Sequence, residues 1–232
     1  RIIDTINIYL SFIYKKPTSI FFMKLKLIAL FAFFSVTMVQ AQHASFEAST
    51  GGFSFIPAFT SEDPHFIINA GTNDAKPLSF HLLSTVRMSN FTPRGVVFIS
   101  RYKLIDKKLK ATIGIHLPAI QISDDYNVDT FFAQEFIANY PVSSNVTIGA
   151  FYLHGKGKNN DFEANFLAFN TNIVQGNFSF LSQAYVLDLD HTFGISETIS
   201  YKMTQNIDLR GFANKTLSDG KFTWTLGARY NL

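Results

Sequence analysis

The chain has 232 residues, carries 20 Lys and Arg against 17 Asp and Glu, and contains no Cys. The missing Cys excludes disulfides, thiolate metal sites and a lipid-modified N-terminal cysteine. The basic balance is local: residues 1–41 hold five basic side chains (Arg1, Lys15, Lys16, Lys24, Lys26) and one acidic (Asp4), so a chain starting at residue 42 keeps 15 of the 20 and 16 of the 17, a net charge of −1. A nucleic-acid partner thereby loses its electrostatic support.

In chain order, Met23 is followed by Lys24 and Lys26, an apolar run from Leu27 to Val39, and the sequence Val39-Gln40-Ala41. A basic start, a short apolar stretch and small residues before the cut define a secretory signal over 23–41, cleaved after Ala41. The apolar run is too short to cross a bilayer as a helix, which needs roughly 20 residues. Residues 1–22 precede a complete signal and are read as an upstream segment outside the native protein. A membrane helix over that stretch is disfavoured by Asp4, Lys15, Lys16 and Pro17.

Residues 42–77 admit two readings: a pair of strands, over Phe46 to Phe55 and Phe66 to Ala70, or an N-terminal plug. From Leu78 onward the pattern is period two. Leu78, Phe80, Leu82, Val86 and Met88 alternate with Ser79, His81, Thr85 and Arg87, and Leu109, Ala111, Ile113, Ile115 and Leu117 alternate with Lys110, Thr112, Gly114 and His116. Val146, Ile148, Ala150 and Tyr152 form another apolar stripe, as do Phe162, Ala164, Phe166 and Ala168, then Phe193, Ile195, Ile199 and Tyr201. Segments 95–105, 131–140, 177–188 and 206–216 alternate less cleanly, and the change of face within 177–188 suggests a bulge. The clearest segment is the last, where Phe222, Trp224, Leu226, Ala228, Tyr230 and Leu232 alternate with Lys221, Thr223, Thr225, Gly227, Arg229 and Asn231. Alternation of this kind gives a strand one apolar and one polar face.

That final strand resembles the C-terminal strand of bacterial outer-membrane β-barrels, although the barrel pattern usually ends in Phe and this one ends in Leu232. With the signal and the alternating strands, the chain resembles a small porin-like outer-membrane barrel, and no specific family is identified. The expected fold is all-β, an antiparallel up-and-down transmembrane β-barrel of 10 to 12 strands over 42–232. Counting back from Leu232, the turns at 203–205, 174–176, 141–144 and 106–108 fall on the periplasmic side. The loops at 217–220, 188–191, 155–161, 121–129 and 90–93 fall outside, the side where longer loops belong. The resemblance implies outer-membrane lipid and the barrel-assembly machinery as partners. A soluble lipocalin-like cup, whose apolar face would point inward, is the rival fold.

The polar faces nominate a lumen lined by His81, Arg87, Arg101, Lys103, Lys110, His116, Glu135, Glu163, Lys202, Asp208, Arg210 and Arg229, with Asn165 beside them. Either these fill a narrow barrel as ion pairs, or they line a passage for small polar solutes in which inward Lys and Arg favour anionic or zwitterionic ones. A small passive channel is the leading function, with a structural or adhesive closed barrel next. A rim hydrolase would draw on His81, His116, Ser79, Ser84, Glu135, Asp188, Asp190 and His191, but no spacing ties any Ser to any His. Glu197 interrupts an apolar stripe and is expected at a register shift that turns it inward, or near an interface. The acidic loop at 124–129 matches a calcium loop only in its opening, with Thr130 where Gly is required and Phe136 where Glu is required. It reads as a solvated loop. No cofactor or metal is implied.

Overall fold

The computed structural model describes residues 43–52, 54–123 and 125–232; the signal and upstream segments, Phe53 and Asp124 lie outside the described residues. Twelve strands run β1 (His43–Ser49), β2 (His65–Gly71), β3 (Leu78–Arg87), β4 (Pro93–Asp106), β5 (Lys110–Ile122), β6 (Val128–Pro141), β7 (Val146–Gly157), β8 (Glu163–Gln175), β9 (Phe178–Leu187), β10 (Thr192–Lys202), β11 (Ile207–Thr216) and β12 (Phe222–Asn231). Each pairs antiparallel with its sequence neighbour, and β1 pairs with β12, so the sheet closes on itself without a free edge. The closing seam sets Phe46 opposite Tyr230 and Ala48 opposite Ala228, and Leu232 donates its backbone N–H to Ala44 O at 2.9 Å.

Of the ten or twelve strands expected, twelve form. The outward side chains are those of the apolar stripes: Phe222, Trp224, Leu226 and Tyr230 on β12 and Ile113, Ile115 and Leu117 at β5 are each more than two-fifths exposed. So much exposed apolar surface is not sustained in water and matches the lipid-facing wall of a membrane barrel. It also removes the lipocalin-like cup, which would turn these stripes inward. Among the described residues no helix is long and apolar enough to cross a membrane, so crossing falls to the strands.

Both termini of the described barrel lie at one end, which also carries the turns at 72–77, 107–109, 142–145, 176–177 and 203–206. The opposite end, the loop end, carries 50–64, 88–92, 123–127, 158–162, 188–191 and 217–221. The ambiguous segment 42–77 resolves as wall and plug together. β1 and β2 are strands, while 50–64 between them turns into the barrel through a 3-10 turn at Pro57–Phe59. Ile56 is buried there in a cluster with Ala133, Leu153, Ala164, Phe166, Ala168, Tyr185 and Leu187, and Phe55 packs against the same group.

This plug corrects one strand. The Ala164, Phe166, Ala168 stripe of β8 faces inward, with Phe166 and Ala168 fully buried, because it forms the seat for Ile56. Glu163 and Asn165 therefore face outward. Two expected bulges are also absent. β9 and β10 pair without a register shift, so the mixed pattern of 177–188 reflects inward apolar residues such as Tyr185 and Leu187. Glu197 keeps outward parity, between Ser182 and Ala213. Shifts occur instead in β5 between His116 and Ala119, around Pro118, which has no N–H to offer a ladder, and in the β3–β4 and β4–β5 pairs.

Because the plug is held mainly by apolar packing, Ile56→Ala is expected to lower the unfolding free energy by about 2–4 kcal/mol, read from urea unfolding in detergent. The unboiled protein should still run as a compact barrel on a gel, since the ladders remain intact.

Candidate functional site

Alternation delivers one residue in two to the lumen, and the inward residues of the terminal half are mostly polar. Two carboxylates are buried there, and each is held by two bases. Glu135 on β6, with a fully buried side chain, receives Arg101 of β4 through Nε and through Nη2, the latter at 3.2 Å, and lies 2.9 Å from His116 Nε2 of β5. Glu47 on β1 accepts from Arg210 Nη1 at 2.9 Å and from Arg229 Nε and Nη2 at 3.0 and 2.9 Å. A carboxylate removed from water is tolerable only with such charge-assisted partners.

The register explains how Arg101 reaches Glu135 across an intervening strand. Arg101 lies opposite Gly114, and Gly114 lies opposite Glu135. Strands sit roughly 4.8 Å apart, so the two side chains stand about twice that distance apart and must meet above the middle strand. Gly114 leaves the space open; a Cβ there would lie 2.7 Å from Glu135 Cγ.

Most sequence-nominated residues take their places on this lining. Arg101, His116 and Glu135 form one cluster, and Arg210 and Arg229 another with Glu47. Asp208 accepts from Asn231 Nδ2 at 2.8 Å. His81 contacts Asp74 Oδ1 at 3.0 Å. Lys110 lines the terminal vestibule, while Lys103 reaches Ala75 O and Asp106 at the rim, each at 3.0 Å. Lys202 ends β10 at the same rim, exposed, and Arg87 ends β3 at the loop end opposite His65. Glu163 is the exception: it stands on the outer surface at the loop end, paired with Lys156 at 3.0 Å. Asn165 likewise faces out, accepting from Tyr152 Oη at 2.7 Å and donating to Asp188, whose carboxyl those bonds hold below the usual range.

Sequence reasoning passed over Glu47, His43 and Asp74, all within or beside the stretch left open between wall and plug. The alternation of Ser45, Glu47 and Ser49 with Phe46 and Ala48 carried the signal for Glu47, though only over five residues.

Two cavities, both bordered by Arg210, occupy the terminal half of the lumen. One of about 510 Å³ is lined by Lys110, Asn139, Asn170, Asn172, Ser200 and Arg210 among others. A second of about 370 Å³ includes His43, His81, Arg101, Arg210 and Arg229. Neither lining contains an Asp or Glu side chain; Glu47 lines instead a third cavity of about 230 Å³ that also borders Arg210, while the Glu135 side chain is fully buried against Arg101 and His116. The free polar lining is cationic, amide and hydroxyl. A recess of about 900 Å³ lies instead on the outer wall, floored by the backbone of the row Asn139–Gly149–Asn170–Gln183–Ser196–Asn214 and flanked by outward residues including Glu197.

Around His81 the hydrolase parts do not form a relay. Ser79 Oγ and Asp74 Oδ1 both approach the same nitrogen of His81, Nε2, at 3.3 and 3.0 Å, whereas a relay needs the acid on the opposite ring nitrogen. In the acidic loop, Asp129 accepts from Asn160 Nδ2 at 3.0 Å, and Ser123 Oγ and O cap Asn127 and Tyr126 as an ordinary turn.

The chain has the fold of outer-membrane porins. It is similar to the KdgM porin solved in complex with disordered oligogalacturonate, at a TM-score of 0.61 and 8% identity over 81% of this chain and 98% of that one. The NanC porin gives a TM-score of 0.57 and 11% identity over 82% and 100%. The COG4313 outer membrane channel from Pseudomonas putida F1 gives 0.54 and 9% over 83% and 94%. No family model and no curated protein matches the sequence. At these identities the likeness shows the fold alone.

Glu135→Leu, which strands Arg101 and His116 in the lumen, is expected to cost about 3 kcal/mol or more of unfolding free energy. Glu163→Leu, removing an exposed outer pair, should cost less than about 1 kcal/mol in the same urea titration.

Proposed function

We propose that this protein is a small passive channel of the bacterial outer membrane, delivered there by the 23–41 signal, that passes small polar solutes and favours anionic ones. The observation that carries this reading is the terminal vestibule: its two cavities are lined by Lys110, Arg101, Arg210 and Arg229 with amides and hydroxyls between them, while the nearby Glu47 and Glu135 are ion-paired with those arginines and Asp208 is bonded to Asn231. A low-dielectric wall focuses the field of such a set, raising the local concentration of anions. The apolar exterior supports the membrane location, and the KdgM porin, a protein of the same fold solved with an acidic oligosaccharide, supports the solute class.

The inturned segment 50–64 sets the loop-end constriction. Phe55 packs its ring 5.0 Å from that of His116, which ties the plug to the Glu135 cluster below it. A solute entering from the loop end passes between this segment and the wall, then meets the cationic vestibule. The short outer loops give little surface for the adhesive alternative.

Planar bilayers test the reading. The native protein should give discrete conductance steps with anion preference, and Lys110→Glu should reduce that preference roughly two- to threefold at ~0.1 M salt. The effect should shrink at ~1 M, where the screening length falls from ~10 Å to ~3 Å. A bilayer that stays sealed at every dose, or a cation-selective native pore, overturns the proposal.

A further inference from the structure

At the terminal mouth, three strands bring two histidines into one row. His43 of β1 lies opposite Gly71 of β2, and Gly71 lies opposite His81 of β3. Both imidazoles belong to the lining of the 370 Å³ cavity. Side chains separated by a whole strand meet only if the middle position is bare, and Gly71 makes it so. A Cβ on Gly71 would stand 2.9 Å from His81 Nδ1 and would collide with His43 Nε2. The two rings consequently approach to 5.7 Å between centroids.

A carboxylate completes the group from a different element. Asp74, in the turn between β2 and β3, places Oδ1 3.0 Å from His81 Nε2. That turn is well fixed. Ala75 N donates to Asn73 Oδ1 at 2.7 Å, Thr72 and Phe80 bond to one another twice at 2.9 Å, and Lys103 Nζ donates to Ala75 O at 3.0 Å. One ligating atom from each of His43, Asp74 and His81 lies within 4.8 Å of the other two, the only such group of three among the described residues.

A His–Asp ion pair alone would account for Asp74 and His81. It would not account for a second imidazole brought over a bare backbone position to the same point. Two neutral imidazoles and a carboxylate form a mixed nitrogen and oxygen donor set that suits Zn²⁺ and other late first-row divalent ions. Mg²⁺ and Ca²⁺, which take oxygen ligands, do not fit it. His43 and Asp74 are exposed and the three atoms already lie within 4.8 Å of one another, so the side chains have room to rotate toward Zn²⁺ distances of roughly 2.0–2.2 Å.

We propose that His43, Asp74 and His81 form a transition-metal site of the Zn²⁺ class at the terminal mouth of the lumen. Three protein ligands leave a fourth tetrahedral position open toward the vestibule, for water or the carboxylate of a passing solute. A bound dication there adds to the cationic field of Arg101 and Arg229 and places a Lewis acid where anionic solutes pass.

The test is calorimetric titration of Zn²⁺ alone into the intact, untagged barrel in detergent near neutral pH. The expected result is one Zn²⁺ per chain at micromolar affinity, weakened on the order of tenfold or more in His43→Ala, in Asp74→Asn and in Gly71→Ala. His154→Ala, on the outer face, should bind as the native chain does. Gel mobility without boiling confirms that each variant is folded, and His43→Ala changes only an exposed residue at the start of β1. A native chain that binds no Zn²⁺, or a folded His43→Ala that binds it as tightly as the native chain, overturns the site. Because the readout is metal binding, failure of the channel reading leaves this result untouched.

Discussion

Backbone hydrogen bonding in a medium without water is the constraint from which the rest of this structure follows. Every N–H and C=O at membrane depth needs a partner within the protein, and a β-sheet meets that demand only by closing on itself. Here closure is the pairing of β1 with β12, the one seam between elements far apart in sequence. Once the ring closes, each strand has one lipid-facing and one lumen-facing side, and side-chain parity becomes binding. The outer stripes ending in Phe222, Trp224 and Leu226 are one result, and the concentration of charge inside is the other.

Inside, the chain solves two packing problems in two ways. At the loop end, the inturned segment narrows the lumen with apolar bulk, against which the wall sets Ala164, Phe166 and Ala168, and a cavity of about 230 Å³ stays open on the side of Leu181, Phe212 and Thr225. Toward the terminal end the lumen stays polar, and its buried carboxylates Glu47 and Glu135 are neutralised by bases from other strands. Bare inward positions recur in that half: Gly114 lies between Arg101 and Glu135, Gly149 between Asn139 and Asn170, and Gly71 between His43 and His81. Each lets groups from flanking strands meet above the middle one. The excess of arginine over enclosed carboxylate then gives the vestibule its cationic character.

Much of this was legible in sequence because parity is a one-dimensional signal. The stripes of β3, β5, β7, β10 and β12 were read with the correct face outward, and eleven of the twelve nominated residues lie on the lumen side or at its rim. Glu163 failed for a physical reason: period-two alternation shows that a strand has an apolar face but not what that face touches, and β8 turns its face to the plug. Glu197 failed in the opposite sense, since a carboxylate on an apolar stripe suggested a shift that the continuous ladders of β10 do not contain. Segment 42–77 was ambiguous because wall and plug occupy it together, and its two strands are only seven residues each. Glu47, His43 and Asp74 acquire their meaning only from partners on other strands, which no local pattern reports.

Closure at β1 and β12 can be tested directly because the chain has no cysteine of its own. Ala48 and Ala228 face each other across the seam on the outer wall, so paired cysteines at these positions should fall within disulfide reach. With Ala48→Cys and Ala228→Cys together, oxidation in isolated outer membranes should form one intramolecular bond that changes the mobility of the boiled, non-reduced chain. Ala48→Cys with Gly227→Cys, one residue out of register and on the opposite face, should not. No bond in the first variant, or equal bonding in both, would contradict a barrel closed in this register.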